Sequence, residues 1–397
     1  MSCRTGIQDL HAIADRQVQL EMAANDLIES NMAETVAVYG GGTGVVQTWK
    51  IVADGTVPGA VPATVEVTAT LERNVVAAQT YAIFATGTGC GAITMAGNEV
   101  TDSYNSTSMT MSGGHPVTTA ASGAVGTNGN LNISGNVDIH GALSTPRTGV
   151  GACANGNITA ETTSGNANVD GGMISLPQAK TYPTPSTPSP VPPTTALSYN
   201  GSTNCTVLSA TLLAIPGNTG ITVTGSSGAC IINTNGTTLL LGNVSTTGGT
   251  LTIAGGTSTA ANVNVNTFTM SGNSSLAIAS GTSLTMNVAG TGVASGGNVL
   301  DFTGGSFSNS SFDPSKFQII YAGTNEIKAV GGSNAAATVY APNAFVEMHG
   351  NSDFYGSILS NTFTDTGGAT VHYDTSLSSK FMTLGNFVMT SFNWKKY

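Results

Sequence analysis

Leu131-Asn132-Ile133-Ser134-Gly135-Asn136-Val137-Asp138-Ile139-His140-Gly141-Ala142-Leu143 is the stretch that decides the expected fold. Apolar residues fall at 131, 137 and 143 and again at 133 and 139, a six-residue step broken by Gly or Asn. The same step runs from Met270 to Leu276 and from Ile278 to Leu284. A hexapeptide step fits a chain winding into coils with three short faces, in which strands stack on the coil below and Gly or Asn makes the corners. Three faces of six predict a coil of eighteen, and Tyr340 to Ile358 and Phe345 to Phe363 keep that spacing. The expectation is a mainly β protein, a right-handed parallel β-helix (solenoid), the hand following from the preference of parallel crossovers.

Outward from that stretch, composition agrees with short strands and frequent turns. The 397 residues hold 51 glycines and 14 prolines, with 40% hydrophobic residues to build a core. Asp, Glu, Lys and Arg make only 8% of the chain, where about 25% is usual. A formal charge of −10 with mean hydropathy +0.12 argues against disorder, which needs low hydropathy with high net charge. No Lys/Arg cluster exists to release phosphate counterions, so nucleic acid is not an expected partner.

Residues 5 to 34 predict the chain's one helix: Leu10, Ile13, Gln17, Leu20, Ala24 and Leu27 recur at alternating spacings of three and four, a heptad-like seam. We read Leu10, Ile13, Leu20, Ala24 and Leu27 as an assembly stripe, with packing inside the head as the alternative. Gly40-Gly41-Gly42 would end the helix. From Val45 to Phe84 the period becomes two, as in Val65-Glu66-Val67-Thr68-Ala69-Thr70-Leu71, the mark of half-buried strands. Helix and strands together predict a small α+β head. Residues 177 to 196 carry seven of the fourteen prolines and read as an extended linker, either joining two solenoid segments or leaving and returning. The expected division is helix 1–40, β-rich head 41–100, first solenoid segment 101–176, linker 177–196, main solenoid 197–380 and tail 381–397.

Between Thr181 and Leu300 there is no Asp, Glu, Lys, Arg or His. A hydrolase or lyase needs positioned acids, bases or a nucleophile with its base, so these 120 residues point away from an enzyme. Glu347, His349, Asp353, Asp365, His372 and Asp374 could hold a divalent metal. However, Glu347 and His349 alternate in a strand-like stretch, and His372-Tyr373-Asp374 lies where a polar cap is expected, so the structural reading is preferred. No cofactor and no metal are expected. The five cysteines show no CxxC or Cys/His ligand spacing. Disulfides are the better reading in an oxidising compartment: Cys205 with Cys230, flanking Gly/Thr-rich strands, and then Cys90 with Cys153, leaving Cys3 free.

Arg4-Thr5-Gly6-Ile7-Gln8-Asp9-Leu10 with the helix after it resembles the stretch that follows the membrane segment in PilX-type pilus-assembly proteins, minor-pilin-like components of type IV pilus systems. Tyr81-Ala82-Ile83-Phe84 followed by Asp102-Ser103-Tyr104-Asn105 is similar to the same proteins. Val339-Tyr340-Ala341-Pro342-Asn343-Ala344, Asp353-Phe354-Tyr355-Gly356 and His372-Tyr373-Asp374 resemble their Gly/Asn-rich C-terminal domain, related in style to polymer-forming bactofilins. The likeness implies a pilin-like head and a structural, non-enzymatic bacterial surface protein, a pilus-associated or filament-forming subunit of the fimbrium. Its partners would be other filament or pilin subunits, in homo- or hetero-oligomers. The chain departs from the family in lacking a prepilin cleavage site and hydrophobic half-helix, so contact with a membrane would come only through a missing N-terminal segment. The second expectation is an adhesin whose solenoid face binds a glycan or surface, and the third a polysaccharide-active β-helix enzyme.

Overall fold

Glycines at corners set the geometry of the molecule's larger part. In the computed structural model, which describes residues 28–37, 43–57, 63–76, 79–329, 335–350, 352–380, 382–383 and 388–396, strand Leu131–Gly135 pairs in parallel with Ile93–Gly97 on one side and Glu161–Gly165 on the other. The registers stack Gly97, Gly135 and Gly165 in one column. All three have positive φ, +141°, +87° and +75°. A Cβ on Gly135 would stand 2.7 Å from the carbonyl oxygen of Gly97, so the column needs glycine for space as well as for its backbone. The next position carries Asn98, Asn136 and Asn166, whose amides bond one another at 2.8 and 3.0 Å. Leu131, Ile133, Val137, Ile139 and Leu143, the residues of the six-residue step, are all fully buried.

The described residues divide into two units, one of residues 28–37, 43–57, 63–76, 383 and 388–396 and one of the described residues from 79 to 382. In the second unit the parallel sheet closes on itself. Ala260–Ser271 pairs with Ser283–Val288, which pairs with Phe317–Tyr321 and that with Ala336–Met348. Ala336–Met348 also pairs with Glu326–Ala329, which pairs with Asn298–Asp301, and this last strand returns to Ala260–Ser271. This ring of six parallel strands is a closed barrel and corrects the expected fold class of a right-handed parallel β-helix (solenoid). The physical reason is strand length: Ala260–Ser271 and Ala336–Met348 each hold two partners on one side, one at each end, and so join what would have been separate faces. The expected eighteen-residue repeat is corrected with it. Ile358 lies opposite Val339 rather than Tyr340, and Phe363 opposite Val346 rather than Phe345, with an irregularity between Ala341 and Phe345.

Inside the sheet runs one apolar core in which Phe268, Phe302, Phe307 and Phe317 meet ring to ring at centroid distances of 5.4 to 6.0 Å. The N-terminal strands of this unit join its C-terminal ones: Asp353–Asp365 pairs with Ile83–Ala85 and Ile93–Gly97, and Thr370–Asp374 with Val100–Tyr104. Residues 83–97 therefore belong here and not to a head extending to 100. One short helix, Cys205–Leu213, is capped by Asn204, whose side chain accepts from the Thr206 amide. Among the described residues no helix is long and apolar enough to cross a membrane.

The proline-rich segment is tied along its length rather than hanging free. Lys180 exchanges two hydrogen bonds with the Asn128 side chain. The Tyr340 hydroxyl donates to the Pro183 carbonyl at 2.7 Å, the Asn264 amide to Pro190 at 2.8 Å and the Asn243 amide to Thr194 at 2.8 Å. Proline has no N–H to offer a partner strand, and side-chain donors from three strands of the sheet bond the segment's carbonyls instead. The segment is thus an external strap between Met173–Ser175 and Ala196–Asn200.

In the first unit, Ile28–Ala37, Thr43–Val57, Ala63–Val76 and Val388–Lys396 form an antiparallel sheet in that order, with Met382–Thr383 also in it. The expected N-terminal α-helix is corrected over residues 28–34, which lie in strand Ile28–Ala37. The pairing of that strand with Thr43–Val57 overrides the helix propensity of its Ala, Glu and Met residues. The rest of the helix, including Leu10, Ile13, Leu20, Ala24 and Leu27, lies outside the described residues, as do Cys3 and Gly40-Gly41-Gly42. The α+β head is corrected accordingly: its described part is all strand, and residues 388–396 of the expected tail are a member of its sheet.

Candidate functional site

Parallel pairing places Tyr355, His372 and Asp102 in one row across three neighbouring strands. Side chains on one row of a sheet stand close enough to interact. His372 Nδ1 lies 2.5 Å from Asp102 Oδ1, and its Nε2 3.5 Å from Asp353 Oδ1. The ring stacks on Tyr355 at 4.5 Å. Tyr355 in turn packs against Phe312, Tyr104 and the ring of His115. Burial works against the charge of His372, but hydrogen bonds and attraction from Asp102 and Asp353 outweigh it and raise its pKa to about 9. Asp353 is held below the ordinary carboxylate value by the hydrogen bond to His372, against partial burial. At neutral pH the ring is therefore an imidazolium between two carboxylates. Both ring nitrogens face a carboxylate, Nδ1 at hydrogen-bond distance and Nε2 farther off.

The other expected site residues lie apart from this cluster. Glu347 Oε1 is 2.9 Å from His349 Nε2, and Glu347 Oε2 is 3.6 Å from Lys328 Nζ, which is also 3.8 Å from Glu326. Burial opposes the charge of Glu347, but bonds to Glu326 and His349 keep its pKa low, while burial and Glu347 push Glu326 up. Asp374 is buried and accepts from the amides of Ser106 and Ser376 and from the Ser376 hydroxyl. It caps the turn Thr375–Ser379.

Asp365 is fully buried with Glu99 near it. Burial first, and the Glu99 charge second, push Asp365 up to about 8; burial pushes Glu99 to about 7. One Glu99 oxygen accepts from the Gly367 amide at 3.3 Å, and the nearby amides of Thr366 and Ala369 favour ionised Asp365 without forming well-aligned hydrogen bonds. Two carboxyl groups in an apolar setting hold a proton more readily than two charges. Among the described residues no group of three or more His, Cys, Asp or Glu is arranged to hold a metal ion.

Cys90 is bonded to Cys153, and Cys205 to Cys230. The second bridge ties the start of helix Cys205–Leu213 to strand Ala229–Asn233. A groove of about 490 Å³ opens beside the aromatic cluster, lined by Tyr104, Met109, Val117 and Thr375 among others, and none of its lining residues is a carboxylate, histidine, lysine or arginine. The titratable cluster and the groove are thus separate features. Sequence reading singled out Asp353 and His372 but missed Asp102, Tyr355 and His115 as their companions. Asp102 and Tyr355 appear in it only as parts of family-like motifs, and nothing local joins positions 270 apart.

A family model described as a domain of unknown function (DUF7305) matches residues 214–380. That match falls short of half the chain. No curated protein matches the sequence. Among solved structures the chain is similar to the competence-associated pilin ComZ from Thermus thermophilus, at 13% identity over 99% of this chain and 96% of that one, with a TM-score of 0.26. A likeness at that TM-score carries no argument about fold or function.

Proposed function

We propose that this chain is a structural, non-enzymatic protein of a bacterial cell surface, a pilus-associated or filament-forming subunit. The observation that carries the reading is what the fold does with its ionisable groups. His372 is spent between Asp102 and Asp353, Glu347 between His349 and Lys328, and Asp374 on backbone amides. None of these three lines the groove. Two disulfides suit an oxidising, extracytoplasmic compartment. A tied, cross-linked β framework is suited to bearing load or display. The resemblance of its sequence motifs to minor-pilin-like proteins supports a surface filament as its location.

Immunogold electron microscopy of intact cells, with antibody raised to the purified chain, tests the location; label confined to the cytosol would remove the reading. Incubation with pectin, alginate, chitin and peptidoglycan tests the absence of catalysis. Turnover abolished by Glu347→Gln or Asp353→Asn would make the chain an enzyme.

A further inference from the structure

The antiparallel sheet of the first unit ends in two strands, each with one partner among the described residues. Ile28–Ala37 pairs with Thr43–Val57, and Val388–Lys396 pairs with Ala63–Val76. The outer edge of a strand offers a row of unpaired N–H and C=O groups that another chain can complete. Val388–Lys396 carries no proline, its register irregularity opposite Thr70 and Leu71 leaves Ser391–Lys396 in regular pairing, and its two lysines stand together at its end. It carries Phe392 and Trp394, 61% and 62% exposed, as an alternating aromatic pair on one face.

We propose that a second copy of this chain occupies that edge, strand Val388–Lys396 of one copy pairing with strand Ile28–Ala37 of the next. Three features fit this occupant. The strands match in length, nine residues and ten. Their directions match as well: the strands alternate across the four-strand order, so a copy displaced along the sheet without reversal presents an antiparallel partner. Their charges are also opposite, with Lys395 and Lys396 ending one strand and Glu29 beginning the other. An antiparallel register that keeps both faces of the sheet continuous sets Lys396 opposite Glu29, Lys395 opposite Ser30 and Trp394 opposite Asn31. Because the two edges differ, the contact is head-to-tail and each addition leaves a fresh edge, the rule that produces open filaments rather than closed dimers. The inference rests on the filament-forming reading and names its contact.

The test uses the full chain with its disulfides intact, followed by light scattering on size exclusion and by negative-stain electron microscopy. The parent assembles, and added salt weakens assembly by screening the end charges. Lys395→Glu with Lys396→Glu lowers assembly several-fold, and so does Glu29→Lys with Ser30→Lys, while circular dichroism shows both variants folded. A mixture of the two folded variants assembles again, since one contact is the parent's and the next sets the introduced glutamates opposite the introduced lysines. A parent that stays monomeric overturns the inference, as does a variant that assembles like the parent or a mixture that does not recover. Surface labelling of cells would be untouched by those results, so the contact can fail while the proposed function stands.

Discussion

His372 and Asp102 lie 270 positions apart in sequence and 2.5 Å apart in space, on adjoining parallel strands. The strand Thr370–Asp374 is held to Val100–Tyr104 by its backbone ladder and also by this ion pair. A histidine whose folded pKa is about 9 against an ordinary 6.5 contributes stability that is fully present below pH 6.5 and is lost as pH rises through 9. Asp102→Asn should lower the His372 pKa, read by NMR titration of the ring. It should also destabilise the fold at pH 6 by on the order of 3 kcal/mol, as loss of one partner from a buried pair does. An unchanged titration would dissociate the ring from this carboxylate.

The Glu99 and Asp365 pair predicts a pH dependence of the same sign from a different cause. Their folded values, about 7 and about 8, lie above the ordinary carboxylate range, so the folded state binds protons that the unfolded state has released. Their contribution is most favourable below pH 4 and fades as pH rises through 7 to 8. Asp365→Asn should raise thermal stability at pH 8 to 9, by roughly 1–3 kcal/mol for relief of a buried uncompensated charge, and do little at pH 4. Thermal melts of parent and variant across pH 4 to 9 separate this pair from His372. A variant destabilised equally at every pH would remove the proton from the account.

The corner column gives a steric prediction. Gly135→Ala places a Cβ 2.7 Å from the Gly97 carbonyl oxygen at φ +87°, so the backbone must shift as well as strain. A loss of about 1–3 kcal/mol is expected, measured by urea unfolding. Gly149→Ala is the control: it shares the positive φ, at +83°, but meets nothing within 4 Å, so it should lose less. Equal losses would mean that crowding in the column contributes nothing.

Legibility followed the range of the interaction. Leu131, Ile133, Val137, Ile139 and Leu143 announced themselves as core by local spacing, and all five are buried. Parallel pairing itself was within reach, but its closure was not, because the repeat says nothing about which strands are long enough to hold two partners. The irregularity between Ala341 and Phe345 moved the register by one on either side of the expected spacing, a slip that spacing alone cannot detect. Residues 28–34 misled because their Ala, Glu and Met suit a helix, whereas the strand they form depends on a partner across a turn. At the candidate site, His372 and Asp353 were visible as residue types. Their roles depended on Asp102 and Tyr355, which only the folded chain brings beside them.

The two disulfides close loops with sequence separations of 25 and 63 residues. Chain entropy in the unfolded state alone makes these worth roughly 3 and 4 kcal/mol. Cys205→Ser with Cys230→Ser should therefore lower stability by about 2–4 kcal/mol and loosen helix Cys205–Leu213 first, since the bridge anchors its first residue. Hydrogen exchange on the double variant checks both statements. Protection of the helix amides equal to that of the parent would show that the Asn204 cap and the contacts of Leu208 and Leu212 suffice.

The proline strap should come loose without unfolding the sheet beneath it. Its attachment is through side chains, the Lys180–Asn128 pair, Tyr182 against Phe84, Tyr340 to Pro183, Asn343 to Thr184, Asn264 to Pro190 and Asn243 to Thr194, while the sheet is held by its own ladders and core. Tyr340→Phe removes one hydroxyl and leaves the Pro183 carbonyl to water. The expected cost to global stability is small, about 1 kcal/mol for one hydrogen bond. The local effect is larger, because one of the ties that hold residues 180–184 to the sheet is lost. Limited proteolysis reads the difference: cleavage within residues 181–193 should accelerate in Tyr340→Phe and more so with Asn264→Ala added, while the melting temperature changes little. If instead the whole sheet melts with the strap, the segment is part of the cooperative core and not an external tie.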